Sequence, residues 1–347
     1  MNKNYNKRIL IILLSFCGLL FVVFIIDLFT GSVKIPFREV LMSLVSGKND
    51  NQIWAAIIYN FRLPKAITAV LAGAALSVSG LQMQTIFRNP LAGPYVLGIS
   101  SGASLGVAIL VLGFSSFLTN HSIHYFGNWT QIVAAWTGSA LVLFLILAVS
   151  LKVRDIMTIL ILGILFGSAT SAIVSIFQYF SHQSMLKAFV IWSMGSLGNL
   201  SRAQLNILIP CIIAGLLLSF LFSKILNALL LGETYARSLG INIQFSRIML
   251  FISTSILAGS ITAFCGPIGF IGIAVPHIVR ILFRSANHYY LIPGTILAGG
   301  IILLLSDIIA QLPGTDITLP INSVTALLGI PIVIWIIIRN KKISSLS

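Results

Sequence analysis

The sequence predicts an all-α protein that crosses a membrane about ten times, and three observations carry that reading. Hydrophobic residues make up 58% of the 347-residue chain and charged residues only 8%. Mean hydropathy is +1.04. Apolar runs of roughly 20 residues recur along the whole chain with short polar links between them. A soluble domain carries about a quarter charged residues, so a soluble enzyme, a secreted disulfide scaffold and a disordered chain are excluded. A net charge of +14 would point to nucleic acid in a soluble protein, but no stretch interleaves basic residues with aromatics on a polar surface. Here the charge reports topology. Residues 1–347 read as a single transmembrane domain with no room for a soluble one.

The first segment, 9–29, follows Lys3, Lys7 and Arg8. It is long for a signal peptide and no small-x-small site closes it, so it is expected to stay as a helix with its N-terminus inside. Further segments are expected at 66–87, 95–118, 130–150, 156–180, 204–226, 244–264, 268–283, 291–311 and 321–338. Alternation then puts 14 of the 21 basic residues and both termini on the cytoplasmic side, as the positive-inside rule asks. Five of the exceptions, Lys34, Arg38, Lys48, Arg62 and Lys65, cluster in one external stretch, where an acidic partner docking from outside would explain them. Gly, Ala and Ser are dense in the segments, as in LAGAALSVSG (71–80), which allows close helix packing in a bilayer. The pattern Leu71, Gly80, Pro90 returns as Leu257, Gly266, Pro276 in segments of opposite direction, the form of an inverted repeat.

Few residues are suited to chemistry. Of seven acids only Asp27 and Asp307 fall within apolar segments, both toward the outer half, so a carboxylate pair or proton relay looks hard to assemble. No GxxxxGK[ST] loop is present, so the chain is not expected to hydrolyse ATP by that route. Cys17, Cys211 and Cys265 stand alone in apolar segments without metal-ligand spacing. His121 and His124 read as residues of a solvated external loop, and His277 as a structural hydrogen-bonder.

Three motifs break the apolar pattern. RNPLAGP (88–94) reads as a rigid turn at the inner surface, and LGETYARSLGIN (231–242) as a small surface helix with Glu233 and Arg237 at i,i+4. GPIGFIGIAVPHIVR (266–280) predicts a short or broken segment.

These motifs, with RLPKAITAVLAGAALSVSG (62–80), RNPLAGPYVLGISSGASLG (88–106) and LPINSVTALLGIPIVIW (319–335), resemble the FecCD family of permease subunits of ATP-binding-cassette importers over nearly the whole chain. The resemblance implies a type II importer permease for an iron-siderophore, haem or cobalamin, in a bacterial inner membrane. It implies a homodimer, or a dimer with a paralogue, around a central path. A pair of cytoplasmic ATPases would bind ATP and Mg, and a periplasmic or lipid-anchored solute-binding protein would deliver the ligand. The permease itself would hold no cofactor and no metal, and would not be an enzyme. Glu233, Thr234, Ala236, Arg237, Leu239 and Gly240 match the family's coupling helices. Asn89, Pro90 and Leu91 match a loop that narrows the cytoplasmic exit in the family's vitamin B12 importer, and Asp155, Ile156, Met157 and Thr158 match its other gate. Arg62 and Lys65 match basic residues that receive acidic side chains of the binding protein, while Gln311 stands where that importer has a third arginine. The rival readings are an ion-coupled secondary transporter, which the repeat alone would allow, and an intramembrane transferase, for which clustered Asp, His or Asn residues are missing.

Overall fold

The structure, a computed structural model, describes residues 3–46, 52–113, 128–153, 155–198, 200–312 and 318–344. The loop histidines His121 and His124 lie outside the described residues. Among those described, all regular structure is helical. Helix α1 spans Lys3–Phe29, α2 Phe37–Ser46 and α3 Gln52–Ile57, which runs through a π turn at Ile58–Arg62 into α4, Leu63–Ile86. A 3₁₀ turn at Pro94–Leu97 leads to α5, Ile99–Ala108; α6 is Asn128–Lys152, α7 Ile156–Phe180, α8 Gln183–Ser193, α9 Arg202–Leu221 and α10 Ser223–Leu230. The six-residue α11, Glu233–Ser238, precedes α12, Ile243–Thr254, and a π turn at Ser255–Gly259 joins α12 to α13, Ser260–Cys265. The chain closes with α14, Ile271–Phe283, α15, His288–Ala310, and α16, Ile321–Ser344.

Seven helical stretches are long and apolar enough to span a bilayer, and three shorter apolar ones, Ile99–Gly113, Ile271–Phe283 and Ile321–Trp335, bring the described set to the expected ten. The 13 residues of α14 rise only about 20 Å, less than the roughly 30 Å hydrocarbon core. The Gly-Pro motif at 266–270 causes this: Gly266 ends α13 at φ +74° and α14 begins only after Phe270, itself at φ +65°. The two glycines of the sequence repeat sit differently, Gly80 inside the continuous α4 and Gly266 at the end of α13. Matching letters alone therefore mark no equivalent turn.

Helix α4 is the buried axis, packed along α15 and α14 and crossed by α9 and α12. Its small residues make this possible. A methyl group added to Gly73 would overlap the Gly299 backbone on α15, and one on Gly80 would overlap the Gly272 carbonyl on α14. Close backbone approach supplies the dispersion that must replace the hydrophobic effect in lipid. Gln82 at this depth is satisfied internally: its amide donates to Ser219 (2.8 Å) and Ser253 (3.1 Å) and accepts from Thr254 (2.8 Å). Such bonds tie α4 to α9 and α12 where water is absent.

Candidate functional site

The residues singled out by the sequence fall at the two ends of α4. At its C-terminal end the Arg88 guanidinium donates to the Leu230 carbonyl at 3.2 Å, bringing α10 and α11 beside the 88–94 turn. Gly232 at φ +117° turns the chain into α11, and the Asn242 side chain accepts from the Phe245 N–H (3.0 Å) to start α12. Ala236 faces inward, while Thr234, Arg237 and Gly240 are exposed and Tyr235 (47%) and Leu239 (57%) present large apolar surface outward. Arg237 approaches Glu233 only at 4.0 Å. The short bond of Glu233 is to Arg247 on α12, at 2.7 Å, with the Arg247 side chain almost wholly buried. Arg247, read from the sequence only as a topology charge, is thus the brace of α11. An open pocket of about 390 Å³ lined by Arg237, Asn242, Gln244 and Arg247 lies beside it.

The two segments that the family resemblance marks as gates lie at this same end. In the 88–94 turn Arg88 adopts φ +48°, the Asn89 carboxamide accepts from the Leu91 N–H at 2.9 Å, and His277 Nε2 on α14 lies 2.8 Å from the Pro90 carbonyl oxygen. That is the structural bond expected of His277. Asp155 caps α7: its carboxylate accepts from the Thr158 N–H (2.8 Å), the Thr158 hydroxyl (2.7 Å) and the Met157 N–H (3.4 Å). The Thr158 side chain, then its backbone, holds this carboxyl below the ordinary carboxylate range. Leu91 and Met157 are 42% and 47% exposed, so both turns project apolar tips from this end. No hydrogen bond joins the two turns to each other among the described residues.

At the opposite end the structure departs from expectation. Arg62 is buried, and its guanidinium donates to the carbonyls of Leu28 (2.9 Å), Phe29 (3.2 Å) and Val33, closing the C-terminus of α1. Lys65 bonds Asp307 Oδ2 at 2.9 Å and keeps about a fifth of its side chain exposed. The Gln311 amide donates to Asp307 (2.9 Å) and Asp27 (3.3 Å), across 284 residues of sequence. A carboxylate pair that looked hard to assemble is therefore assembled, because α1 packs along α15. No local pattern in the sequence signals it.

With this geometry in view, the comparisons decide the family. The FecCD transport family matches residues 19–339. The chain belongs to the FecCD family. This FecCD chain is 34% identical to the hemin transport system permease protein of Yersinia pestis over 313 residues, 90% of each chain. It is 36% identical to the vitamin B12 import system permease protein of Salmonella newport over 286 residues, covering 82% of this chain and 84% of that one. A solved structure described as an inward-facing conformation of a metal-chelate type ABC transporter superposes with TM-score 0.81 at 28% identity, over 94% of this chain and 99% of that one.

The FecCD protein is accordingly a multi-pass permease of an ABC importer, a transport component by family. The secondary-carrier and transferase readings fall with that assignment. Cys17 is exposed, Cys211 half-buried and Cys265 buried, all as free thiols. Among the described residues no three His, Cys, Asp or Glu side chains are grouped closely enough to hold a metal ion.

Proposed function

We propose that the chain is the permease of an importer for a large metal chelate, an iron-siderophore, haem or cobalamin, in a bacterial inner membrane with both termini cytoplasmic. Two copies, or this chain and a paralogue, enclose the path; a pair of ATPases binds and hydrolyses ATP with Mg on the cytoplasmic side. A solute-binding protein delivers the chelate from outside. The observation that carries this reading is α11: a small helix with an outward apolar tip, Tyr235 and Leu239, braced by the Glu233–Arg247 ion pair. A tip held this firmly can pass a push from a partner into α12 rather than yield to it. Glu233, Thr234, Ala236, Arg237, Leu239 and Gly240 are the coupling segment. The turns Asn89–Leu91 and Asp155–Thr158 narrow the inner exit with the exposed side chains of Leu91 and Met157. Arg62 and Lys65 form the docking end, with Lys65 about a fifth exposed and Arg62 shaping the backbone behind it.

The test is to purify a tagged copy gently from iron-starved cells and to assay the recovered complex in vesicles. The expected result is co-recovery of an ATPase and ATP-dependent uptake of a metal chelate. Recovery of the chain alone, with uptake driven by a proton gradient without ATP, overturns the reading.

A further inference from the structure

An open cavity of about 320 Å³ lies between α6, α8, α9 and α13, away from the coupling, gate and docking residues. Its walls include Gln131 of α6, Ala188 and Trp192 of α8, Ser196 just after α8, Gln204 of α9 and Phe264 of α13. These walls are fixed before anything enters. Gly195 at φ +74° turns the chain so that the Ser196 N–H donates to the Cys265 carbonyl at 2.7 Å. The Phe264 ring is met edge-on by Trp136, with centroids 5.3 Å apart, and by Trp129 at 6.5 Å.

Gln204 decides what the cavity can hold. Its Oε1 accepts from the Ser201 N–H at 2.8 Å and its own N–H donates to Ser201 Oγ at 3.3 Å, the reciprocal bonds that start α9. These bonds fix the carboxamide and leave its Nε2 group without a partner among the described residues, on a side chain whose residue is only 3% exposed. A sheltered N–H with no acceptor is costly, and an acceptor placed in the cavity recovers that cost. The Gln131 carboxamide and the Ser196 hydroxyl, on the same walls, are also without partners among the described residues. No charged side chain among the described residues lines the cavity, so an ion entering it would leave water and find no counter-charge.

We propose that this cavity is a binding site for a neutral, amide-type carbonyl carried on an apolar, ring-sized body. The carbonyl oxygen accepts from Gln204 Nε2, Gln131 and Ser196 complete the polar contacts, and the body lies against Trp192 and Phe264. A largely apolar pocket with a few fixed polar groups, at the lower end of the roughly 300–1,000 Å³ of small-molecule sites, suits such a ligand.

The test uses the full chain in lipid nanodiscs with 4-fluorophenylacetamide as the probe, read by its fluorine line width against nanodiscs without protein. The carboxylate of the same shape, 4-fluorophenylacetate, is expected to bind roughly tenfold more weakly. Gln204→Met, which removes the donor, is expected to weaken amide binding about fivefold, and Gln131→Leu, which breaks no internal bond, about threefold. Ala188→Trp, at an exposed position on the wall, is expected to fill the cavity and abolish binding. If Gln204→Met does not fold, Gln131→Leu and Ala188→Trp carry the test. Absence of binding, equal binding of amide and carboxylate, or binding that the variants leave unmoved overturns the site. Displacement of the bound amide by a neutral ferric trihydroxamate, whose oxygens are of the same carbonyl type, supports the site and assigns the ligand group to the cargo; a probe that stays bound supports it as the site of a separate small molecule.

Discussion

Basic residues at the two ends of α4 have opposite fates. At its N-terminal end Arg62 is buried against backbone carbonyls and Lys65 is paired with Asp307; at its C-terminal end Arg237 is 58% exposed and only loosely tied to Glu233. The acids make the difference. Near Lys65 they arrive from α1 and α15, with Gln311 bridging 284 residues to Asp27, and they neutralise the cation there. Near Arg237 the available carboxylate is taken by Arg247, 14 residues on, and Arg237 is left facing outward. A positive charge in the sequence thus says little about availability until its counter-ions are located.

The contrast breaks most sharply at Glu233. Removing its carboxylate with Glu233→Ala takes the ion pair from a buried arginine, at a cost of about 2 kcal/mol in this partly exposed geometry. Uptake is expected to fall to near background while ATP hydrolysis by the assembled complex persists; Arg237→Ala is expected to cost far less. Equal losses from the two variants would show that Arg247 is no brace. Next in size is Arg62. Arg62→Ala gives up hydrogen bonds to three carbonyls and is expected to lower stability by about 2 kcal/mol, read as a lower melting temperature in nanodiscs. Arg62→Lys should not restore it, since an ammonium lacks the planar fork that spans separate acceptors. A variant that melts like the native chain yet docks poorly would place Arg62 outward in the assembled importer.

How much of this was legible in the sequence follows from the reach of each interaction. The apolar runs gave the described crossings, GPIGF gave the break before α14, and the glycine-bounded LGETYARSLGIN gave α11, since all are local signals. The Asn89 turn was legible for the same reason. Arg247 as the partner of Glu233 was not, because α11 and α12 meet around a turn whose geometry no spacing rule encodes. The Lys65–Asp307–Gln311–Asp27 cluster was invisible, because only the packing of α1 on α15 creates it. Within the glycine-proline repeat Gly80 serves close packing and Gly266 a positive φ, two uses of glycine that a letter cannot separate.

The smaller effects concern the 88–94 and 155–158 turns, whose contrast with the Lys65 cluster is that their bonds are few and accessible. His277→Ala removes the contact to the Pro90 carbonyl, worth about 1 kcal/mol, and is expected to raise ATP-independent leak of chelate from vesicles severalfold without abolishing driven uptake. An unchanged leak would detach the 88–94 turn from the gate. Smallest is the Asp155 cap, whose contribution depends on pH with a definite sign. The native carboxyl ionises below its ordinary value of 3.8 because Thr158 hydrogen-bonds the charged form. Its stabilisation of the first turn of α7 is therefore complete above that ordinary value and is lost as pH falls through the lowered one. Protection of the Thr158 amide from hydrogen exchange, corrected for the intrinsic rate, should stay level from neutral pH down to about 4 and fall only below it. Asp155→Ala should show the reduced protection at every pH. A decline already under way well above that window would mean that some other group holds the turn, as Asp307 on the distant α15 holds Lys65.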